Sequence, residues 1–288
     1  MFKGSFVALV TPFKNSKIDE DKFRELIERQ IKNGTDGIVP CGCTGEAATL
    51  SHDEQKRLMD ITVETVKRRV PVVTGAGSNN TSEAVSLTKY AKKAGCDGVL
   101  SITPYYNKPT PQGQYLHFEA VAKAADIPVM LYNVPSRTGI SIKPETIAAL
   151  NKIDNIVAIK EASGSIEQVN QIVALCDITV LSGDDAMTLP IMNAGGKGVV
   201  SVAANIIPKE MADLVKLLQE GKIDEAQKLH NRLEPFFKSL FIETNPIPVK
   251  AAMGIMRIME PEWRLPLCPP TADTVKKLEG ALKKQGLI

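Results

Sequence analysis

The stretch AGCDGVL, residues 94–100, has two close copies in the chain, NGTDGIV at 33–39 and AGGKGVV at 194–200. Each fits a helix ending in glycine, a tight turn and the start of a strand. The repetition predicts a repeated αβ unit. Working outward from these copies, short β-type runs fall at 5–11, 36–42, 70–77, 98–104, 128–134, 156–161, 178–183 and 198–204. Amphipathic helical patterns lie between them near 20–33, 52–68, 81–94, 113–125, 144–151, 165–175 and 185–194, with another at 208–220. Eight strands, each followed by a helix, predict a parallel sheet, and the count favours a closed (β/α)₈ TIM barrel. A doubly wound open sheet is the competing topology, since alternation alone does not prove closure. Beyond about residue 223 no strand-like run stands out, and prolines 246, 248, 266, 269 and 270 break the helical patterns. The expected organisation is a catalytic barrel over 1–223 followed by a C-terminal helical domain over 224–288.

Helix ends are legible too. Ser51 to Glu54 and Asn80 to Glu83 both have the form of a capping box. The basic run Lys67-Arg68-Arg69 fits a helix C-terminus, where cations offset the dipole.

Composition bounds the function. The chain has 288 residues, 43% hydrophobic and 24% charged, as expected of a globular protein with a sizeable core. A net charge of +2, from 35 basic and 33 acidic residues, argues against nucleic acid or a membrane surface as partner. The cysteines, Cys41, Cys43, Cys96, Cys176 and Cys268, are odd in number and form no C-x-x-C pair. Neither a disulfide framework nor a zinc site is indicated, and reduced thiols in the cytoplasm are the simplest reading. The apolar run near the N-terminus, Ser5 to Val10, is too short for a signal peptide or a membrane span. His52, His117 and His230 are too scattered to suggest a metal site.

In a (β/α)₈ barrel, reactive groups gather at the C-terminal ends of the strands. Those ends read CGCTGE (41–46), TPYYNKP (103–109), YNVPSRTG (132–139), KEASG (160–164) and SGDD (182–185). NIVAIKEASG (155–164) places Lys160 directly after a buried run. An isolated buried ammonium is costly, so Lys160 is paired to an acid at the rim, solvent-exposed or kept for chemistry. Pairing with Glu161 is disfavoured, because adjacent strand residues face opposite ways. If Ile156 and Ala158 point inward, so does Lys160, and desolvation would leave a neutral amine able to attack a carbonyl. Tyr132, on the neighbouring strand, would put a phenol near that amine, either as a proton relay or as filling for the barrel mouth. Arg137 could capture a carboxylate, although many loop arginines are merely solvated. Thr44-Gly45 could cradle another carboxylate or form an ordinary turn. Cys41 and Cys43 would share a strand face, a poor metal signature. TGAGSN (74–79) imitates a dinucleotide loop but has Asn80 at its third glycine position. Asp184-Asp185 could bind a divalent ion but better fit a helix cap.

Taken together, GSFVALVTPF, CGCTGEAATL, TPYYNKPTPQG, LYNVPSRTG, IKEASG, LSGDD and ETNPIPVK occur in this order over nearly the whole chain. On these motifs the sequence resembles the 4-hydroxy-tetrahydrodipicolinate synthase (dihydrodipicolinate synthase) family, among the pyruvate-dependent class I aldolases that include N-acetylneuraminate lyase. The resemblance implies a barrel with a C-terminal helical domain, usually a homotetramer, and no metal or organic cofactor. It implies a Schiff base between Lys160 and pyruvate, whose enamine attacks L-aspartate 4-semialdehyde to give 4-hydroxy-tetrahydrodipicolinate on the diaminopimelate–lysine route. Tyr132 would relay protons, and Tyr106 would reach across a subunit interface into the neighbour's site. Thr44 and Gly45 would hold the pyruvate carboxylate and Arg137 that of the semialdehyde, while the carbonyl of Val200 matches a further site position. His52, Asn79, Glu83 and Tyr105 match positions that bind inhibitory lysine between subunits.

The chain departs from the family pattern in two places. Cys43 stands where a hydroxyl residue, most often threonine, usually completes the relay, and a thiol is a weaker hydrogen-bonding group. Ala47 and Gln55 stand where lysine-inhibited enzymes often carry more strongly interacting polar groups. Another pyruvate aldolase acting on sugar acids is the nearest alternative activity, and Arg137 with Tyr105-Tyr106 favours the synthase. A catalytically dead binding paralogue is disfavoured by the joint presence of Lys160, Tyr132 and Tyr106.

Overall fold

The eight apolar runs form eight parallel strands: β1 (Gly4–Ala8), β2 (Gly37–Val39), β3 (Val73–Gly75), β4 (Gly98–Ile102), β5 (Val129–Asn133), β6 (Ile156–Glu161), β7 (Thr179–Ser182) and β8 (Gly198–Ser201). A computed structural model describes residues 2–288. Each strand pairs with its sequence neighbour except β2 with β3, and β1 pairs with β8. The last gap is bridged where Ile38 pairs with Val72 and the Gly75 amide donates to the Pro40 carbonyl at 2.9 Å. The sheet is therefore a closed barrel and not a doubly wound layer.

Helices α1 (Glu20–Lys32), α2 (His52–Val66), α3 (Thr81–Ala94), α4 (Pro111–Ala124), α5 (Pro144–Leu150), α6 (Ile166–Leu175), α7 (Thr188–Asn193) and α8 (Pro208–Gln219) follow strands one to eight in turn. From Ile223 the chain continues as α9 (Ile223–Ser239), α10 (Ile247–Ile255) and α11 (Ala272–Lys284). Pro246 and Pro248 lie at the start of α10, where a missing N–H costs nothing, so they begin a helix where the sequence suggested a break. Among the described residues no helix is long and apolar enough to cross a membrane.

The repeated motif has a steric cause. Its first glycine, Gly34, Gly95 or Gly195, takes a left-handed φ of 83°, 90° or 104° after the helix end. Its second glycine opens a strand at the bottom of the barrel, where there is no room for a side chain. A Cβ on Gly37 would meet the Phe6 ring at 2.1 Å, and one on Gly98 the Phe2 ring at 2.7 Å. Phe2 and Phe6, edge to face at 6.1 Å, plug that end. Above them Ala8, Val39, Val73, Leu100, Met130, Ala158, Leu181 and Val200 fill the interior. A second apolar layer lies between strands and helices and extends to Leu233, Phe236 and Phe237 of α9 and Leu278 of α11.

Of the two capping boxes read from the sequence, one forms. Ser51 and Glu54 form a reciprocal capping box on α2. Asn80 accepts from the Ser82 amide, but Glu83 is engaged by the Ser78 hydroxyl at 2.7 Å, so the second box does not form. After α2, Arg69 donates to the carbonyls of Val66 and Thr65 at 2.9 and 2.7 Å, satisfying orphan acceptors of the last turn.

Candidate active site

Lys160 stands near the upper end of β6, directly opposite Tyr132 of β5 in the ladder. Its ammonium nitrogen lies 4.3 Å from the centre of the Tyr132 ring. Both residues are buried. Lys160 points inward, as Ala158 does, but Ile156 belongs to the outer layer. The pairing register shifts after Val129, so that Met130 pairs with Ala158, and this irregularity breaks the alternation assumed for Ile156. Gly183 makes room for the lysine: a Cβ there would come within 3.1 Å of Lys160 Cε and Cγ.

Burial lowers the pKa of Lys160 to about 8, because desolvation disfavours the ammonium. Burial also pushes the Tyr132 phenol well above its usual value, which keeps it protonated. Cys43 packs against the inner cluster that contains Tyr132. Cys41 and Cys43 do not share a face. β2 ends at Val39, Cys41 adopts a left-handed φ of 56°, and its thiol turns outward to the Gln55 carbonyl at 3.7 Å.

Thr44 and Arg137 converge on Asn245, a residue to which no spacing pattern assigns a role. The Asn245 side-chain amide donates to the Thr44 hydroxyl at 3.0 Å, and Arg137 Nη2 donates to the Asn245 carbonyl at 2.9 Å. Thr11 fixes the neighbouring turn by donating to the Gly45 carbonyl at 2.6 Å. Just beyond, the Glu46 carboxylate and the Lys250 ammonium form an ion pair whose side chains are both 0% exposed. The Phe13 ring is flanked by Lys250 and Arg264, at 4.4 and 4.3 Å, and Arg264 continues to Glu54 at 2.6 Å. No spacing rule could pair Glu46 with Lys250, since more than two hundred residues separate them.

Val200 is fully buried at an inward position of β8, opposite Phe6 of β1. Tyr106 is not drawn into the site of its own chain: it is 90% exposed, with a left-handed φ of 71°. Tyr132, Cys43, Arg137 and Asn245 line a cavity of about 510 Å³. Its outer part is lined by His52, Glu83 and Tyr105, together with Ala47 and Gln55. His52 Nε2 lies 3.9 Å from Glu83, whereas the Asn79 carbonyl is taken by Asn107 at 2.9 Å.

Asp184 caps the short turn after β7 by accepting from the Ala186 amide at 2.9 Å. Asp185 does not cap; it is fully buried and accepts from the Ser201 hydroxyl and from the Val202 and Ala203 amides at 3.1 and 2.9 Å. It thereby ties the end of β7 to that of β8. Glu161 faces away from Lys160, as alternation requires, and accepts from Asn133, Gln168 and the Ser163 amide. The glycines of TGAGSN serve close packing and not phosphate binding. A Cβ on Gly75 would lie 1.9 Å from the Cys41 carbonyl, and one on Gly77 2.5 Å from the Ile102 amide.

An inward amine with a lowered pKa and a protonated phenol beside it, below a mouth that carries a guanidinium and a hydroxyl, can form an imine with an oxo acid. Known proteins share this fold and about half of the sequence. A 4-hydroxy-tetrahydrodipicolinate synthase of Syntrophus aciditrophicus is 54% identical over 290 aligned positions, covering all of both chains. A solved dihydrodipicolinate synthase superposes with a TM-score of 0.99 at 49% identity, again covering all of both chains. The enzyme from Cyanidioschyzon merolae, solved with lysine bound, gives a TM-score of 0.97 at 42% identity, over 100% of this chain and 99% of that one. The model of the dihydrodipicolinate synthetase family matches residues 1–285, and the chain belongs to that family.

Proposed function

We propose that this chain condenses pyruvate with L-aspartate 4-semialdehyde to give 4-hydroxy-tetrahydrodipicolinate, through a Schiff base on Lys160. The supporting observation is the buried Lys160 amine against Tyr132, with its pKa lowered to about 8 by burial. In this reading the neutral amine attacks C2 of pyruvate, and water leaves as the iminium forms. Loss of a C3 proton gives the enamine, with the iminium nitrogen receiving the electron pair. C3 then bonds to the aldehyde carbon of the semialdehyde, whose oxygen takes a proton. Finally the amino group of that substrate displaces Lys160 from C2 and closes the ring. Tyr132 carries the protons. Thr44 and Gly45 hold the pyruvate carboxylate, Arg137 that of the semialdehyde, and the Val200 carbonyl accepts a hydrogen bond from the bound intermediates. An assay coupled to dihydrodipicolinate reductase, following NADPH, tests the substrate pair. Turnover with a sugar-acid aldehyde in place of the semialdehyde would move the activity to another pyruvate aldolase.

The barrel, 1–223, provides the chemistry in this proposal, and the helical domain, 224–288, closes the mouth through Asn245 and Lys250. We place the reaction in the cytoplasm, in keeping with five unpaired cysteines. We also propose a homotetramer in which Tyr106 joins the relay of a neighbouring copy. An aromatic residue 90% exposed on a left-handed backbone is expensive unless something covers it.

Cys43 tests the relay. Because a thiol is the poorer hydrogen-bonding group, Cys43→Thr is expected to raise kcat by roughly two- to tenfold. An unchanged or lower kcat would remove Cys43 from the relay. His52, Asn79, Glu83 and Tyr105 are proposed as a lysine site at the outer end of the cavity. Lysine at millimolar concentration is then expected to inhibit, and His52→Ala to weaken that inhibition. A flat activity curve removes the assignment.

A further inference from the structure

The structure assigns Asn245 a positioning role: its side-chain amide fixes the Thr44 hydroxyl so that the hydroxyl proton is presented to a substrate carboxylate. This rests on the reading of Thr44 and Arg137 as carboxylate-binding residues.

A threonine hydroxyl has one proton and two lone pairs. In Thr44 one lone pair accepts from Asn245 Nδ2 at 3.0 Å, and among the described residues no acceptor takes the proton. The hydroxyl is thus turned to donate away from Asn245. An unanchored hydroxyl would rotate freely and would have to be ordered each time a substrate binds. Asn245 is itself held on both sides. Its carbonyl receives Arg137 Nη2 at 2.9 Å, and it directly precedes α10, whose Lys250 is locked to Glu46, two residues beyond Thr44. One residue therefore sets the spacing between the two carboxylate anchors. Its remaining amide oxygen is buried without a partner. An amide kept for packing alone would be expected to use both ends. This one uses its donor end on Thr44 and leaves the acceptor unsatisfied.

The side chain and the backbone of Asn245 act on different anchors, which separates the effects. Asn245→Ala removes the donor to Thr44 but keeps the carbonyl that receives Arg137. The expected result is a KM for pyruvate raised about tenfold, with kcat and the KM for the semialdehyde within about twofold. Asn245→Asp, of nearly the same shape, turns the donor into an acceptor that captures the Thr44 proton. It should raise the pyruvate KM at least as much, and it serves if the alanine variant does not fold. Thr44→Val alone should raise the pyruvate KM, and Asn245→Ala added to it should change that KM by less than about twofold, because the hydroxyl it positions is gone.

Multiplying effects in the double variant, or equal rises in both KM values, would overturn the role of Asn245 while leaving Thr44 as a carboxylate anchor. An unchanged pyruvate KM in Thr44→Val would instead remove Thr44 from the anchor role, and the inference with it.

Discussion

Lys160→Ala is expected to lower kcat/KM by about a thousandfold or more while leaving the fold intact. The loss corresponds to roughly 4 kcal/mol of transition-state stabilisation, which the Tyr132 phenol and the mouth residues cannot supply without a covalent partner. Stability should change little or improve, because the variant removes a buried amine that carries no carboxylate partner. The wild-type pH profile follows from the same burial. With the lysine near 8, about one-tenth of the amine is neutral at pH 7. The free-enzyme parameter kcat/KM for pyruvate should therefore rise nearly tenfold per pH unit up to about 8 and then level off. No alkaline fall from Tyr132 is expected until well above its ordinary range, since burial holds the phenol protonated. A profile that is flat from pH 6 to pH 9, or an alanine variant that keeps a tenth of the activity, would rule out Lys160 as the nucleophile.

Lys250→Met is the second large effect, on stability. The pair with Glu46 is closed to solvent on both sides, so removing the ammonium strands a carboxylate whose other contacts are weak. The expected loss is about 3–5 kcal/mol. Replacing both partners, Glu46→Gln with Lys250→Met, should recover most of it, because the cost lies in the uncompensated charge and not in lost attraction. Urea denaturation at one fixed protein concentration reads both, association being held constant. A single-variant loss under about 1 kcal/mol would mean that water or a proton reaches Glu46 readily.

The barrel was legible because its causes are local. The motif of Gly34, Gly95 and Gly195 marks the ends of helices, and apolar runs bounded by turns mark the strands. Closure was favoured by the count of eight strands but not proved by it, since it depends on the Ile38–Val72 bridge between separate segments. Within the site, the inward Lys160 follows from alternation near the strand end, whereas Ile156 escapes it through a register shift that no side-chain pattern reveals. Cys41 leaves the expected strand face because the chain turns left-handed there, close against Gly75. Asn245 and the Glu46–Lys250 pair depend on contacts spanning more than two hundred residues, beyond the reach of any period. Asp185 resembled a helix cap because its neighbour Asp184 is one. Its burial against Ser201 emerges only when β7 and β8 lie side by side.

The most direct measurement of the central claim is borohydride reduction of the protein with pyruvate present, followed by peptide mass analysis. Reduction should fix pyruvate covalently on the peptide containing Lys160, with loss of activity, and nothing should be fixed in Lys160→Ala. Labelling of a different lysine, or pyruvate-dependent turnover with no trapped adduct on Lys160, would contradict the Schiff-base mechanism.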